Sequence, residues 1–139
     1  MDKQVKGNIL AVRLYQDEDV VAALNEAFRS TGRSMGIVVS AAGMMKKIKL
    51  GYFIGEGKYK ENYFEKEREI VSLTGNLICD ENRYFNHLHV SIADEEGKVT
   101  GGHLKDAQVH GTGEIFIYVS DINATRVKED ETGLEGLKL

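Results

Sequence analysis

A short turn between two alternating strands constrains the fold of this chain more than any other feature of the sequence. The run Asp94-Glu95-Glu96-Gly97-Lys98 has the composition of a three-residue hairpin loop, which is typically a type I turn closed by a left-handed glycine. Pairing Asp94 with Lys98 fixes the register of the flanking strands and places His103 directly opposite His89. Directly opposed residues share a face of the sheet, so both imidazoles should project to the same side.

A third histidine joins this face. His87 and His89 are separated by one residue, and alternate residues of a strand point the same way. The register therefore predicts that His87, His89 and His103 converge. A loop of two or four residues would instead turn His103 to the opposite face, unless Gly101-Gly102 adds a bulge. The hypothesis of a site depends on that register.

Three converging imidazoles suit a divalent transition metal, above all zinc, and leave a fourth coordination position free for water or a substrate. Nickel, cobalt and iron also accept imidazole, so the sequence does not exclude them. The alternative interpretation is that these are ordinary strand histidines, hydrogen-bonded to neighbours or to solvent. His110 lies outside the pattern. Glu114 begins an otherwise apolar strand and is either a proton carrier near the metal or a surface residue at a strand end.

The composition indicates a soluble globular protein. At 139 residues the chain suffices for one domain with a substantial core, and its 42% hydrophobic and 29% charged residues are ordinary values. No apolar stretch is long enough to span a membrane, and the first residues lack the apolar run of a signal peptide. Cys79 is the single cysteine, which excludes an intrachain disulfide and favours a reducing compartment. We therefore expect a cytoplasmic protein.

The charge balance bears on nucleic-acid binding. A net charge of −4 and a pI of about 5.6 oppose broad attraction to nucleic acid, which cationic groups dominate. A local patch remains, because Lys46, Lys47 and Lys49 lie close together in the sequence. The basic residues between positions 58 and 68 are interleaved with glutamates, which is typical of a solvated, mixed-charge surface.

One segment predicts a helix. Asp17 offers an N-cap, with acidic residues at positions 18 and 19 in the first turn, and Gly32 offers a stop. Between them, apolar residues follow at helical spacing: Val20, Val21, Leu24, Ala27 and Phe28. We expect this to be the main helix of the chain.

The pattern of the remaining sequence predicts strands. The sequence contains no proline, and glycines mark the breaks between the strands. The predicted strands are residues 7–14, 36–42, 47–54, 64–79 (one long strand or a bent pair), the histidine hairpin, and 113–120. Residues 129–139 form a charged tail that either packs at an edge or frays. One helix among many antiparallel strands predicts an α+β fold with a mostly antiparallel or barrel-like sheet, in a single domain over residues 1–139.

The order of these motifs resembles the plants-and-prokaryotes-conserved (PPC) domain family. The most specific part is His87-Leu88-His89 followed by Gly101-Gly102-His103-Leu104. The resemblance covers nearly the whole chain, in residues 7–14, 49–53, 69–76, 87–91, 97–104 and 112–115. It implies a compact α+β domain that assembles as a homotrimer and binds metal through the three histidines. The fold of the family is similar to that of acetolactate decarboxylase, a zinc enzyme with a His-x-His plus His site.

Two functions remain open. As a regulatory module, the trimer would bind metal and DNA or protein partners. The family's DNA-binding labels come largely from plant proteins with an AT-hook, whose Arg-Gly-Arg-Pro core this proline-free chain lacks. As an enzyme, it would be a zinc-dependent lyase or hydrolase acting on a small carbonyl or ester substrate, with Glu114 carrying a proton. For either function we expect an oligomer, because the strands offer more apolar face than one short helix covers. The alternative is that a β-rich chain with one helix closes on itself.

Overall fold

The computed structural model of the chain describes residues 1–81 and 83–139. Within these residues it contains one helix and nine strands. They are β1 Asp2–Lys6, β2 Ile9–Tyr15, α1 Val20–Arg29, β3 Met35–Gly55, β4 Lys58–Phe64, β5 Arg68–Asp80, β6 Arg83–Ala93, β7 Val99–Ser120, β8 Thr125–Lys128 and β9 Glu135–Lys138.

Seven of the strands form one antiparallel sheet in the order β1-β2-β7-β6-β5-β3-β4, and β3 also pairs with β7. The additional pairing closes β3, β5, β6 and β7 into a partial ring, which β1, β2 and β4 extend. β3 and β7 are 21 and 22 residues long and change register at several bulges, and such bulges let strands bend around a core. The predicted α+β class with a mostly antiparallel, barrel-like sheet is confirmed.

The core is built by alternation along the strands and by one stripe of the helix. In β2, Leu10, Val12 and Leu14 are buried and alternate with more exposed residues, as the sequence predicted. α1 packs against β2, β6 and β7 and buries Leu24 and Phe28 completely or nearly so. Each such side chain removed from water stabilises the fold by about 1.5–3 kcal/mol.

The N-cap of the helix lies two residues later than predicted, so the acidic residues at positions 18 and 19 are not in the first turn. Asp19, not Asp17, is the N-cap, and its carboxylate accepts a hydrogen bond of 2.7 Å from the Ala22 N–H. The backbone N–H of Asp17 donates a hydrogen bond to the Val109 carbonyl on β7, and the Asp17 carboxylate forms an ion pair with Lys46. No helix among the described residues is long and apolar enough to cross a membrane.

The predicted strands were partly misplaced. Residues 7 and 8 form a two-residue turn between Lys6 and Ile9, so the first predicted strand contains a turn and β1 was missed. Residues 36–42 and 47–54, which were predicted as two strands, both belong to the single strand β3. Bulges in β3 interrupt the alternation of buried and exposed residues. β5 begins only at Arg68, and β4 was not predicted. Residues 113–120 are the second half of β7.

The C-terminal residues form a small hairpin of their own. β8 and β9 pair in a separate two-stranded sheet, so residues 135–138 of the tail pair with residues 125–128. The hairpin turn is tied to the turn between β3 and β4, because the Gly57 N–H donates to the Thr132 carbonyl at 2.8 Å. This bond, together with the contact between β5 and β8, places the hairpin beside β5 and the turn between β3 and β4.

Candidate metal centre and the adjoining cleft

The turn between β6 and β7 has the conformation that its sequence predicted. The Gly97 N–H donates to the Asp94 carbonyl at 2.9 Å, and Gly97 adopts a φ of 78°. The Asp94 N–H donates to the Lys98 carbonyl at 3.2 Å, which pairs these two residues. His89 and His103 are consequently direct partners across the strands, so the predicted register is confirmed.

This register brings three histidines together. One ring nitrogen each of His87, His89 and His103 lies within 4.8 Å of the others. The Nε2 atoms of His87 and His89 are 3.1 Å apart, and the ring centroids of the three side chains are separated by 5.1–5.4 Å. Imidazole nitrogens at this spacing can converge on one small cation.

The surroundings favour the neutral form of two of these imidazoles. Burial, then His87, His89 and Lys105, lower the pKa of His103 to about 4. The pKa of His87 is also lowered, first by burial and then by His89 and Arg126. The Nδ1 atom of His103 is buried and has no hydrogen-bond partner. Neutral rings present a free lone pair, which is the form that a metal requires.

Neighbouring strands hold the cluster. Asn76 of β5 is the cross-strand partner of His87, and Gly51 of β3 is the partner of His103. From β4, the Tyr59 ring lies against His103 with 5.3 Å between the ring centroids. Three strands besides the histidine hairpin therefore fix the positions of the imidazoles.

A cleft of about 490 Å³ opens beside two of the histidines, between the sheet and the C-terminal hairpin. Its walls include His87, His103, Tyr59, Asn76, Arg126 and Leu134. The last four were not identified from the sequence. The turn-like run Asp130-Glu131-Thr132-Gly133 could have indicated the hairpin that supplies two of them.

Arg126 is the cation that faces this cleft. Its Nη2 donates to Asn76 Oδ1 at 2.6 Å and its Nη1 donates to the Glu135 carbonyl at 3.1 Å. Burial lowers the pKa of Arg126, and the Glu135 carboxylate opposes that effect. Asn76, which accepts this hydrogen bond from the guanidinium, lies directly opposite His87 on the neighbouring strand.

Two other candidate residues lie away from the cluster. Glu114 is eleven residues beyond His103 on β7, exposed, and paired across the strands with Arg13 and Ala42. It lines a different groove, so the structure does not bring it to the histidines. His110 is the partner of Met44 on β3 and is likewise outside the cluster.

The three lysines of the predicted nucleic-acid patch differ in their surroundings. Lys46 forms an ion pair with Asp17, and Lys49 Nζ lies 3.2 Å from a carboxylate oxygen of Asp106. Lys47 is exposed, and within the described chain no carboxylate lies within 4 Å of its ammonium group. The patch therefore has a lower net positive charge than its sequence indicates.

Comparison with known proteins identifies relatives by sequence. A family model of the Plants and Prokaryotes Conserved (PCC) domain matches residues 1–121, which is the family that the motifs predicted. Two Synechococcus proteins described as "Bifunctional protein GlmU" match at 31% identity over 111 residues and 29% over 110. The chain spans only 17% and 16% of their lengths, about a sixth.

Solved structures share the fold over almost the whole chain. A plant- and prokaryote-conserved (PPC) protein from Pyrococcus horikoshii is 28% identical with a TM-score of 0.81, covering 96% of this chain and 94% of its own. A metal-containing protein from Archaeoglobus fulgidus is 27% identical with a TM-score of 0.84, covering 99% and 97%. A "putative DNA binding protein" from Bacteroides thetaiotaomicron is 24% identical with a TM-score of 0.91, covering 99% and 96%.

Proposed function

The chain belongs to the Plants and Prokaryotes Conserved (PCC) domain family, and on that premise we propose that it is a metal-binding protein. One divalent transition-metal ion, above all Zn²⁺, is held by His87, His89 and His103. The convergence of their ring nitrogens within 4.8 Å carries the proposal. The description of the Archaeoglobus fulgidus relative as a metal-containing protein supports it.

The donor set fits such an ion. Imidazole nitrogen is a ligand for zinc, copper, iron and nickel, whereas calcium and magnesium prefer oxygen. The buried, unpartnered Nδ1 of His103 and the lowered pKa values of His87 and His103 favour the neutral, donating form of these rings. Structural zinc sites usually have four protein ligands, so a three-histidine set leaves a position for water or a ligand.

Metal content tests the proposal. Purified protein should contain about one metal ion per chain, as three-histidine sites do. His103→Ala should lose it, because two imidazoles hold a divalent ion far less tightly than three. His110→Ala is the matched control and should retain the metal, because His110 lies outside the cluster. Equal, sub-stoichiometric metal in the wild type and in His103→Ala would refute the proposal.

We also propose a homotrimer, whose subunits bury an apolar face of the sheet. Ile9 of β2 and Ile37 of β3 are both partners of Tyr118 on β7, so the three share one face. Phe116 precedes Tyr118 by two residues on β7 and lies on the same face. All four are between 40% and 45% exposed in the single chain. Contiguous apolar surface of this kind is typical of an interaction site.

The single cysteine favours a reducing compartment, for which we propose the cytoplasm.

In a regulatory role, this metal-binding protein would be a module that binds DNA. The name of the Bacteroides thetaiotaomicron relative supports it, whereas the net charge of −4 and the ion pairs of Lys46 and Lys49 oppose it. Titration of a labelled duplex at several salt concentrations tests it. We expect Lys47→Glu to weaken binding and to reduce the salt slope by about one. No salt-sensitive binding by the wild type would refute it.

The cleft beside the histidines favours a second candidate, a metal-dependent lyase or hydrolase that acts on a small carbonyl or ester substrate. A bound zinc ion would supply Lewis acidity to such a substrate. The cleft of about 490 Å³ lies within the range of small-molecule sites. Metal-dependent turnover of a small keto acid or ester that His103→Ala abolishes and His110→Ala retains would support this candidate.

A further inference from the structure

The C-terminal hairpin supplies one wall of the cleft and holds a cation there. Arg126 of β8 and Leu134, just before β9, both line the cavity, together with Leu137 of β9. The Gly57 N–H bond to Thr132 anchors the hairpin turn on the turn between β3 and β4. The hairpin therefore forms the wall of the cleft opposite the sheet, and this wall carries the cation and the apolar side chains.

Arg126 has donor capacity that the fold does not use. A guanidinium carries five N–H groups. The fold engages Nη2 with Asn76 and Nη1 with the Glu135 carbonyl. Within residues 1–81 and 83–139, no carboxylate oxygen lies within 4 Å of the Arg126 guanidinium. The Glu135 carboxylate acts on this half-buried charge only from beyond contact distance, so an anionic ligand in direct contact would offset more of the cost of burying it.

We propose that the cleft binds a small organic acid, with its carboxylate on Arg126 and its apolar part against Leu134 and Leu137. The site extends to His87 and His103, so the inference rests on the proposed metal function for the position of the ligand beside the metal. The carboxylate contact itself depends only on this chain's own residues.

The lining favours a carboxylate over a phosphate. One guanidinium matches the two oxygens of a carboxylate through paired N–H donors. The cleft also contains the carboxylates of Glu129 and Glu135, which repel a doubly charged phosphate more strongly than a singly charged acid. Leu134, Leu137 and Phe85 add apolar surface that a phosphate ion would not contact. The ligand class is therefore a short organic acid with an aliphatic or aromatic part.

Calorimetric titration tests this with three probes: isovalerate, its neutral amide isovaleramide, and inorganic phosphate. The zinc-loaded wild type should bind isovalerate more tightly than either of the others. Arg126→Gln should weaken isovalerate binding about ten- to hundredfold, because a hydrogen-bonded charge is lost. Lys128→Gln, an exposed cation on the same strand, is the matched control and should leave the affinity unchanged.

The outcomes separate this inference from the metal proposal. Equal binding of isovalerate and isovaleramide, preference for phosphate, absence of isovalerate binding, or unchanged affinity in Arg126→Gln would each overturn the inference. Metal content is measured on the same samples. Arg126-dependent isovalerate binding by protein that takes up no metal would support the carboxylate site while refuting the metal site. If Arg126→Gln does not fold, Arg126→Lys serves instead, because it keeps the charge but removes the paired donors and should also weaken binding.

Discussion

His89 and His103 are direct partners across the β6–β7 hairpin, with ring centroids 5.4 Å apart and ring planes at 86°. Their alignment depends on a loop of three residues between Asp94 and Lys98, since a shift of one residue would turn one of them to the other face. The candidate metal centre is therefore linked to the chemistry of a turn that contributes no ligand to it.

Gly97 should be important for this turn through its backbone conformation alone. Its φ is 78°, and a Cβ built on it would meet nothing within 4 Å. Gly97→Val should therefore lower the free energy of unfolding by about 1–2 kcal/mol, and Gly97→Asn by less, because asparagine tolerates the left-handed region. Urea unfolding of the two variants measures the difference. Equal stability of the valine variant and the wild type would contradict the prediction.

Gly75 should tolerate a side chain much less well, because its neighbour is the backbone of the histidine strand. A Cβ at Gly75 would lie 2.0 Å from the carbonyl oxygen of His87. Gly75→Ala should lower the free energy of unfolding by about 2–4 kcal/mol, from strain and forced separation of β5 and β6. Gly55→Ala is the matched control, because Gly55 also has a positive φ but no neighbouring atom within 4 Å. Similar losses in both variants would show that the contact with His87 is not limiting.

The turn should also contribute a pH-dependent stabilisation through Asp94. The Lys98 N–H, then the Glu96 N–H and Arg68, hold the pKa of the Asp94 carboxyl below its usual 3.8. A carboxyl whose pKa is depressed in the folded state stabilises fully above its unfolded pKa, and this contribution is lost as pH falls through the folded pKa. The stability difference between wild type and Asp94→Asn should be constant from about pH 7 to 5 and shrink below about pH 4. Urea unfolding across this range tests the prediction, and a difference that persists unchanged in acid would contradict it.

Local chemistry explains why the hairpin and the helix were predictable from sequence. The composition of residues 94–98 favours one turn type over loops of two or four residues, and that turn fixes which strand residues face each other. Apolar spacing located α1, although acidic residues at positions 17 and 19 could both serve as caps. Only the structure distinguishes them, because the Asp17 N–H donates a hydrogen bond to a carbonyl of β7, a strand that is remote from Asp17 in sequence.

The remainder of the site depends on contacts between distant parts of the chain. β4 is an edge strand with little burial, so residues 58–64 lack the alternation that marks a half-buried strand. β8 has four residues, too few for a clear period. Arg126 meets Asn76 fifty residues away, a contact that no local pattern encodes. The sequence therefore identified the histidines but not the cleft beside them.

Phe116 should mark the surface on which copies of the chain associate. It is 45% exposed, and it adjoins Tyr118 and its partners Ile9 and Ile37 on one face of the sheet. Phe116→Asp places a charge in this apolar surface, so burying it against a second subunit would become unfavourable. Light scattering should then report a trimer for the wild type and a monomer for the variant at micromolar concentration. Tyr52→Asp is the matched control, because Tyr52 is 68% exposed near the far end of β3 and its replacement should leave the trimer intact. A monomeric wild type, or dissociation by both substitutions, would refute this interface.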